Sequence, residues 1–312
     1  MVKHKRKTSF SFIIIIILLI CSISVMTFFI FSNTKVLKTE HQLNKKLTKE
    51  LANKTNSYNE NKNINNELDQ KINELNNTVH NTEVTKQEIF KLASELEQKI
   101  LNGQTAYKIA YLTFDDGPYY LTDKYLEVLN NYNVKATFFT IGAGKSSCYD
   151  NSSVSCMGTY KKIVDGGHTI ANHTYSHGIF YGLYSSTNSF MTQVIKQEEL
   201  IKEHTGIKTN IVRFPGGSGT AGKLKNSIIE ELRKNGYGWV DWSAQDGDGG
   251  NLNSTTQAWN IFTNSIDSNI EVVLFHDYNN ITLSILPQAI EYLQNNNYIL
   301  LPLFYESVMI NK

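Results

Sequence analysis

Apolar and polar positions divide the chain into three textures. From Phe10 to Phe31 the run "FSFIIIIILLICSISVMTFFIF" is uncharged and almost wholly apolar. About 20 such residues suffice for a helix to cross a bilayer. Residues 32–105 are rich in Asn, Lys and Glu, lack Pro, and carry apolar residues at steps of three and four. Leu43, Leu47 and Leu51, then Leu68, Ile72, Leu75 and Val79, then Ile89, Leu92, Leu96 and Ile100 make up this seam. The spacing predicts a coiled-coil stripe between solvated charges. It lapses near Asn53–Asn63, which predicts a break in the helix, and Gly103 is placed to stop it.

From about residue 106 short apolar runs alternate with amphipathic stretches. Strands are predicted at "KIAYLTF", "VKATFFTIG", "HTIAN", "TNIVRF", "YGWVDWSA", "IEVVLFH" and "YILLPL". Helices are predicted between them at "TDKYLEVLNNY" (with Thr122 as its cap), "TYKKIVDGG", "NSFMTQVIKQEELIKEHTG", "KLKNSIIEELRKNG", "STTQAWNIFTNSI" and "LSILPQAIEYLQNNN". Strands alternating with helices imply right-handed crossovers and a parallel sheet with helices outside. The predicted fold class is α/β, and a distorted (β/α) barrel of about seven parallel strands suits the pattern better than the alternative, an open sheet. A transmembrane helix and a helical stalk that can form a coiled coil precede it.

Charge orients this arrangement. Lys3, Lys5, Arg6 and Lys7 precede the apolar run with no acidic residue among them, so this end should stay in the cytoplasm. The expected layout is a basic tail over residues 1–9, an anchor over 10–31, an extracytoplasmic stalk over 32–105 and a globular domain over 106–312. A cleaved export signal is the alternative, and it too leaves the domain outside. The stalk reads either as a dimerising coiled coil or as a lone spacer. The net charge is +1 and no basic stripe interleaved with aromatics is present, which excludes nucleic acid as the expected ligand. Of the three cysteines Cys21 lies in the apolar run. Cys148 and Cys156 flank "YDNSSVS", where they either close a small disulfide loop or stand as free thiols.

Ionisable residues collect at predicted strand ends: Asp115, Asp116, His173, Arg213, Asp241 and His276. In an α/β barrel these ends share one face, where a site belongs. "NHTYSH" puts His173 and His177 four residues apart, a spacing that can bring two imidazoles to one ion. Two imidazoles and one carboxylate suit a divalent ion with open positions, zinc first and cobalt, nickel or iron after it. Strand alternation sends the side chains of Asp115 and Asp116 to opposite faces and so predicts different roles for them. One would ligate the ion and the other act as a base; the residues alone leave open which does which.

"TFDDGP", "HTYSH", "RFPGG" and "LFH" occur in the order and approximate spacing of the polysaccharide deacetylase family. This is the NodB-homology domain of family 4 carbohydrate esterases, and the resemblance covers roughly residues 106–305. It implies that Asp115 is the catalytic base and that Asp116, His173 and His177 hold the metal. It also implies that Arg213 orients the base, that His276 is the general acid and that Leu274 lines the pocket for the acetyl methyl. Many members carry a tyrosine at the position of Gly216, whose backbone N–H can still face an oxyanion. The family's Asp-x-x-Asp-Trp is altered here: in "DWSAQDGDGG" Gln245 and Gly249 replace two of its residues and Asp248 is retained. Asp248 is expected to tune His276, with Asp241 as the rival. The missing aromatic walls leave the groove more open or are replaced by an aromatic from elsewhere, for which Trp242 and Tyr181 are the candidates.

The resemblance implies a metal-dependent N-deacetylase acting on an N-acetylglucosamine polymer; the anchor, which would hold it at the bacterial cytoplasmic membrane, makes peptidoglycan the first choice. Chitin oligomers, poly-N-acetylglucosamine or acetylated xylan are alternative substrates. A non-catalytic wall-binding relative is the alternative outside enzymes.

Overall fold

A computed structural model gives the fold and describes residues 35, 37–55, 86–142 and 157–312. The strands are β1 (Lys108–Asp115), β2 (Thr137–Thr140), β3 (Thr169–Asn172) and β4 (Ile211–Val212), followed by β5 (Gly238–Trp239), β6 (Ala244–Gln245), β7 (Ile270–His276) and β8 (Tyr298–Leu300). They form one parallel sheet in the order β5-β4-β3-β2-β1-β7-β6, and β8 pairs with the first half of β1. The helices are α1 (Lys86–Leu101), α2 (Thr122–Asn131), α3 (Met157–Asp165) and α4 (Thr187–Thr205), then α5 (Lys225–Lys234), α6 (Thr255–Ser265) and α7 (Asn280–Asn295).

The sheet is curled into a half-barrel. Its two edge strands, β5 and β6, are consecutive in the chain, and the five residue steps from Trp239 to Ala244 reach at most about 18 Å. Seven strands laid flat at about 4.8 Å spacing would hold these edges well beyond that reach. "YGWVDWSA", expected as one strand, is thus two short ones with the crossing between them. The Val240 N–H bonds to Val212 on one side, and the Ser243 N–H bonds to Val272 on the other.

Alternation along β1 sorts the core into two sides. Ala110, Leu112 and Phe114 face outward and pack with Tyr125, Leu129, Leu286 and Ile290 of the surrounding helices. Ile109 and Tyr111 face inward, with Phe139, Ala171, Ile211 and Val272 from neighbouring strands. A half-barrel leaves this concave face open at its lower end. Ala93, Leu96 and Ile100 of α1 fill it together with Leu303, Phe304 and Ile310.

This placement revises the reading of α1. Leu96 and Ile100, expected as the last part of a coiled-coil seam, are buried with Ala93 against the sheet interior, and Leu92 is half-buried. Glu97 on the same helix is fully buried and accepts hydrogen bonds from the Tyr111 and Ser307 hydroxyls, each at 2.5 Å, and from the Val308 N–H. Gly103 ends the helix at φ 64°, with the Gln104 N–H bonded to the Lys99 carbonyl. Thr122 also differs from its expected capping role. It is the first residue of α2, and its hydroxyl accepts from the Tyr119 N–H and donates to Asp277.

A separate unit, Met1–Asn63, contributes a helix over residues 37–55 on which Leu43, Leu47 and Leu51 are exposed. Among the described residues no helix is long and apolar enough to cross a membrane. The apolar run 10–31, the middle of the expected stalk and both Cys148 and Cys156 lie outside the described residues.

Candidate active site

The inward-facing rows of four strands end in polar side chains. Asp115 closes β1 and pairs in register with His276 at the end of β7, while His173 and Arg213 directly follow β3 and β4. One step below, Thr113 is in register with Leu274, so the site rests on a floor that turns apolar within two residues.

Arg213 fixes Asp115. Its guanidinium is fully buried, stacks 4.1 Å from the Phe139 ring centroid, and donates to Asp115 Oδ1 at 2.9 Å and to Thr113 Oγ1 at 2.7 Å. The Val240 carbonyl accepts from its Nε–H and the Asp241 carbonyl from Nη2. Burial pushes the Asp115 carboxyl up from the usual carboxylate range, and Arg213 opposes the shift. Burial likewise lowers Arg213, against the raising effect of Asp115.

Asp116 leaves the strand at φ 71°, a left-handed conformation uncommon for a side chain other than glycine. The turn overrides the alternation expected from the sequence, so the two aspartates converge instead of facing apart. His173 Nε2 lies 3.6 Å from Asp115 Oδ2 and 3.5 Å from Asp116 Oδ1. The next residue is glycine for a reason of space: a Cβ at Gly117 would meet the buried Asp277 carboxylate at 2.3–2.8 Å. Burial raises the Asp277 pKa to about 7, which Thr122 partly offsets.

His173 and His177 meet through a turn and not along a helix. Thr174 and His177 both have positive φ, and Asn172 holds the turn by accepting from the Thr174 N–H. The two imidazole centroids are 4.9 Å apart, and His177 Nε2 lies 3.4 Å from Asp116 Oδ1. The His173 Nδ1 position faces the Arg213 carbonyl at 2.9 Å, so that nitrogen carries the hydrogen and Nε2 keeps its lone pair. Burial, followed by His177, lowers the His173 pKa to about 3, so the ring is neutral near pH 7. One ligand atom each from Asp116, His173 and His177 falls within 4.8 Å of the others. Asp116 Oδ1, at the centre of this group, is buried without a hydrogen-bond partner. A divalent cation fits that donor set, and it would satisfy the orphaned oxygen.

His276 sits opposite, its Nε2 3.9 Å from Asp116 Oδ2. Its Nδ1 lies 2.7 Å from Asp248 Oδ1, and its own backbone N–H donates to Asp248 Oδ2 at 2.7 Å. Burial favours the neutral ring, but Asp248, Asp116 and Asp115 together raise the pKa to about 9. Asp241, the rival to Asp248, is engaged elsewhere: it accepts from the Ser218 N–H and hydroxyl and so pins the turn containing Gly216 and Gly217. Gly216, at φ 71°, is exposed at that turn. The Trp242 ring lies against Gly217 and 5.9 Å from the Arg213 guanidinium carbon.

Several residues near the site were not singled out from the sequence. Behind Asp248, the Thr282 hydroxyl lies within hydrogen-bond distance of Asp246 and Asp248, at 2.7 and 2.9 Å. Burial, followed by Asp248, raises Asp246 to about 7. The duplicated acid in "QDGD" was the available signal for Asp246; Thr282 had none. The cleft above Asp116 and His177 is lined by Tyr119, Tyr278, Phe180 and Tyr181.

The polysaccharide deacetylase family model matches residues 102–240. The chain is 30% identical over 198 residues to the putative polysaccharide deacetylase YheN of Bacillus subtilis, covering 61% of this chain and 65% of that protein. It is 31% identical over 160 residues to a peptidoglycan-N-acetylglucosamine deacetylase of Bacillus cereus, covering 51% of this chain and 53% of that one. The chain thus spans between about half and two thirds of these relatives' lengths. The structure is similar to the catalytic domain of a peptidoglycan N-acetylglucosamine deacetylase from Eubacterium rectale, with a TM-score of 0.59 and 32% identity over 66% of this chain and 92% of that one. The half-barrel, the acidic and imidazole groups at its strand ends and these matches lead to one assignment: this chain belongs to the polysaccharide deacetylase family.

Proposed function

We propose that this chain hydrolyses the acetamide of N-acetylglucosamine residues in an extracytoplasmic glycan, peptidoglycan first, and releases acetate. The observation that carries the reading is the facing of Asp115 and His276 across paired strands, with three metal-ligand side chains beside them. Asp116, His173 and His177 would hold one divalent ion, zinc before cobalt, nickel or iron. Such an ion, when bound, supplies Lewis acidity toward water and the acetamide carbonyl.

The remaining roles belong to the chain's own side chains. Asp115, held by Arg213, takes a proton from the attacking water as the C–O bond forms. The Gly216 N–H faces the developing negative charge on the carbonyl oxygen. His276, kept protonated by Asp248, gives its proton to the amide nitrogen as the C–N bond breaks. Acetate and a free glucosamine amine result. Leu274 forms the apolar floor for the acetyl methyl, and Trp242 flanks the turn carrying Gly216. The apolar run 10–31 would anchor the chain in the membrane with this domain outside, and the stalk would hold it away from the bilayer, singly or as a dimer.

The test uses the full-length protein supplied with Zn²⁺ and an N-acetylglucosamine oligomer. Acetate release is expected from the wild type and not from Asp115→Asn, while both retain the metal by elemental analysis. A wild-type protein that binds no divalent ion would overturn the reading.

A further inference from the structure

Phe180 and Tyr181 are the most exposed large hydrophobic side chains among the described residues. Phe180 is 92% exposed and Tyr181 81% exposed, whereas every other described phenylalanine is buried or half-buried. They occupy a short 3-10 turn, Ile179–Tyr181, that begins two residues after His177. Both line the same cleft as Asp116 and His177.

The turn is held at both ends. The Ile179 N–H donates to the His177 carbonyl, and the Tyr181 N–H donates to the Gly178 carbonyl, each at 2.9 Å. Beyond it Leu183 is buried in a core with Phe190 and Phe214, and the Tyr184 hydroxyl donates to the Pro215 carbonyl at 2.8 Å. Two aromatic side chains are therefore presented outward on a pinned backbone. Exposure of large apolar side chains beside a polar cleft marks a binding surface.

Two further aromatics, Tyr119 and Tyr278, line the same cleft. Tyr119 and Tyr278 have ring centroids 5.6 Å apart, and Tyr278 lies 5.1 Å from the His276 ring. The cleft that reaches Asp116 and His177 is thus lined by four aromatic side chains. A pyranose ring presents a face of C–H groups that packs on an aromatic plane, while its hydroxyls remain in water. Gly216 and Gly249 contribute no side chain to the site, which leaves these aromatics to grip what extends from it.

We propose that Phe180 and Tyr181 form a stacking subsite for a sugar unit adjoining the one deacetylated, so that this chain prefers longer glycans to single sugars. The inference rests on the deacetylase reading and names the part of the glycan that it recognises. Full-length protein is compared with Phe180→Ala/Tyr181→Ala on N-acetylglucosamine monosaccharide and tetrasaccharide. The wild type should prefer the tetrasaccharide by tenfold or more in kcat/KM. The double variant should lose that preference, its kcat/KM falling at least fivefold more on the tetrasaccharide than on the monosaccharide. Phe180→Tyr/Tyr181→Phe should restore the preference.

A second arm measures calorimetric binding of the tetrasaccharide to Asp115→Asn protein, with and without the aromatic pair. Loss of binding with the pair supports the subsite. Equal loss on both substrates, or an unchanged preference, overturns it. Tetrasaccharide binding that needs the pair in a wild type releasing no acetate would overturn the deacetylase reading and leave the subsite standing.

Discussion

His276 and Asp248 are joined twice, through the imidazole Nδ1 and through the backbone N–H, both at 2.7 Å. One carboxylate thereby fixes the ring's position and its charge. Replacing Asp248 by Asn removes the charge and keeps the shape. Activity near neutral pH should fall about a hundredfold, in the range of one general-acid contribution. The alkaline limb of the pH–rate profile should also move down from the region of pH 9. The linkage to folding has a definite sign. The folded pKa of about 9 lies above the ordinary histidine value, so the pairing stabilises fully below about pH 6.5 and its contribution fades as pH rises through 9. Thermal melts of wild type and Asp248→Asn should therefore converge at high pH; a constant gap up to pH 10 would contradict this account.

Arg213 and Asp115 predict the acidic limb. Arg213 lowers a carboxyl that burial raises, so Arg213→Gln should shift the loss of activity to higher pH. It also leaves a buried charge unpaired, which typically costs about 3–5 kcal/mol of stability. Urea denaturation measures the second effect independently of turnover.

The group Asp116, His173 and His177 predicts metal affinity. Dialysis against a chelator should abolish acetate release, and Zn²⁺ should restore it. Alanine at any of the three positions should lower retained zinc at least tenfold by elemental analysis. Asp115→Asn should leave it nearly unchanged.

Glu97 predicts that α1 is part of the domain. Alanine there leaves the Tyr111 and Ser307 hydroxyls without their buried acceptor, at a cost of about 3 kcal/mol. Hydrogen exchange should rise in residues 86–101 and 303–310 together, because both segments cover one concave face. A rise confined to the helix would argue against the shared packing.

Much of the fold was legible from periodicity. The seven-residue strand "IEVVLFH" and the helices after β3 and β4 fall where their patterns place them. Hydrophobic period cannot report which sheet edge a residue joins, so the break inside "YGWVDWSA" was hidden. Nor can it tell a stripe facing a partner helix from one facing the domain's own sheet, which is why α1 read as stalk. At the site the residue types were legible and their approach was not. Asp115 and Asp116 converge because one residue adopts a left-handed conformation, a property no strand pattern encodes. Asp248 was expected at His276 with Asp241 as its rival; the chain's crossing between sheet edges sends Asp241 to the Ser218 turn and Asp248 to His276.

The full burial of Arg213 also bears on ionic strength. Dissolved ions screen exposed charges over about 8–10 Å of solution but do not enter a packed interior. The exposed pairs Lys161–Asp165 and Lys162–Asp123 should weaken as salt is added, while the contact that sets the acidity of Asp115 should not. The pH at which Asp115 loses its charge should therefore stay fixed as salt is added.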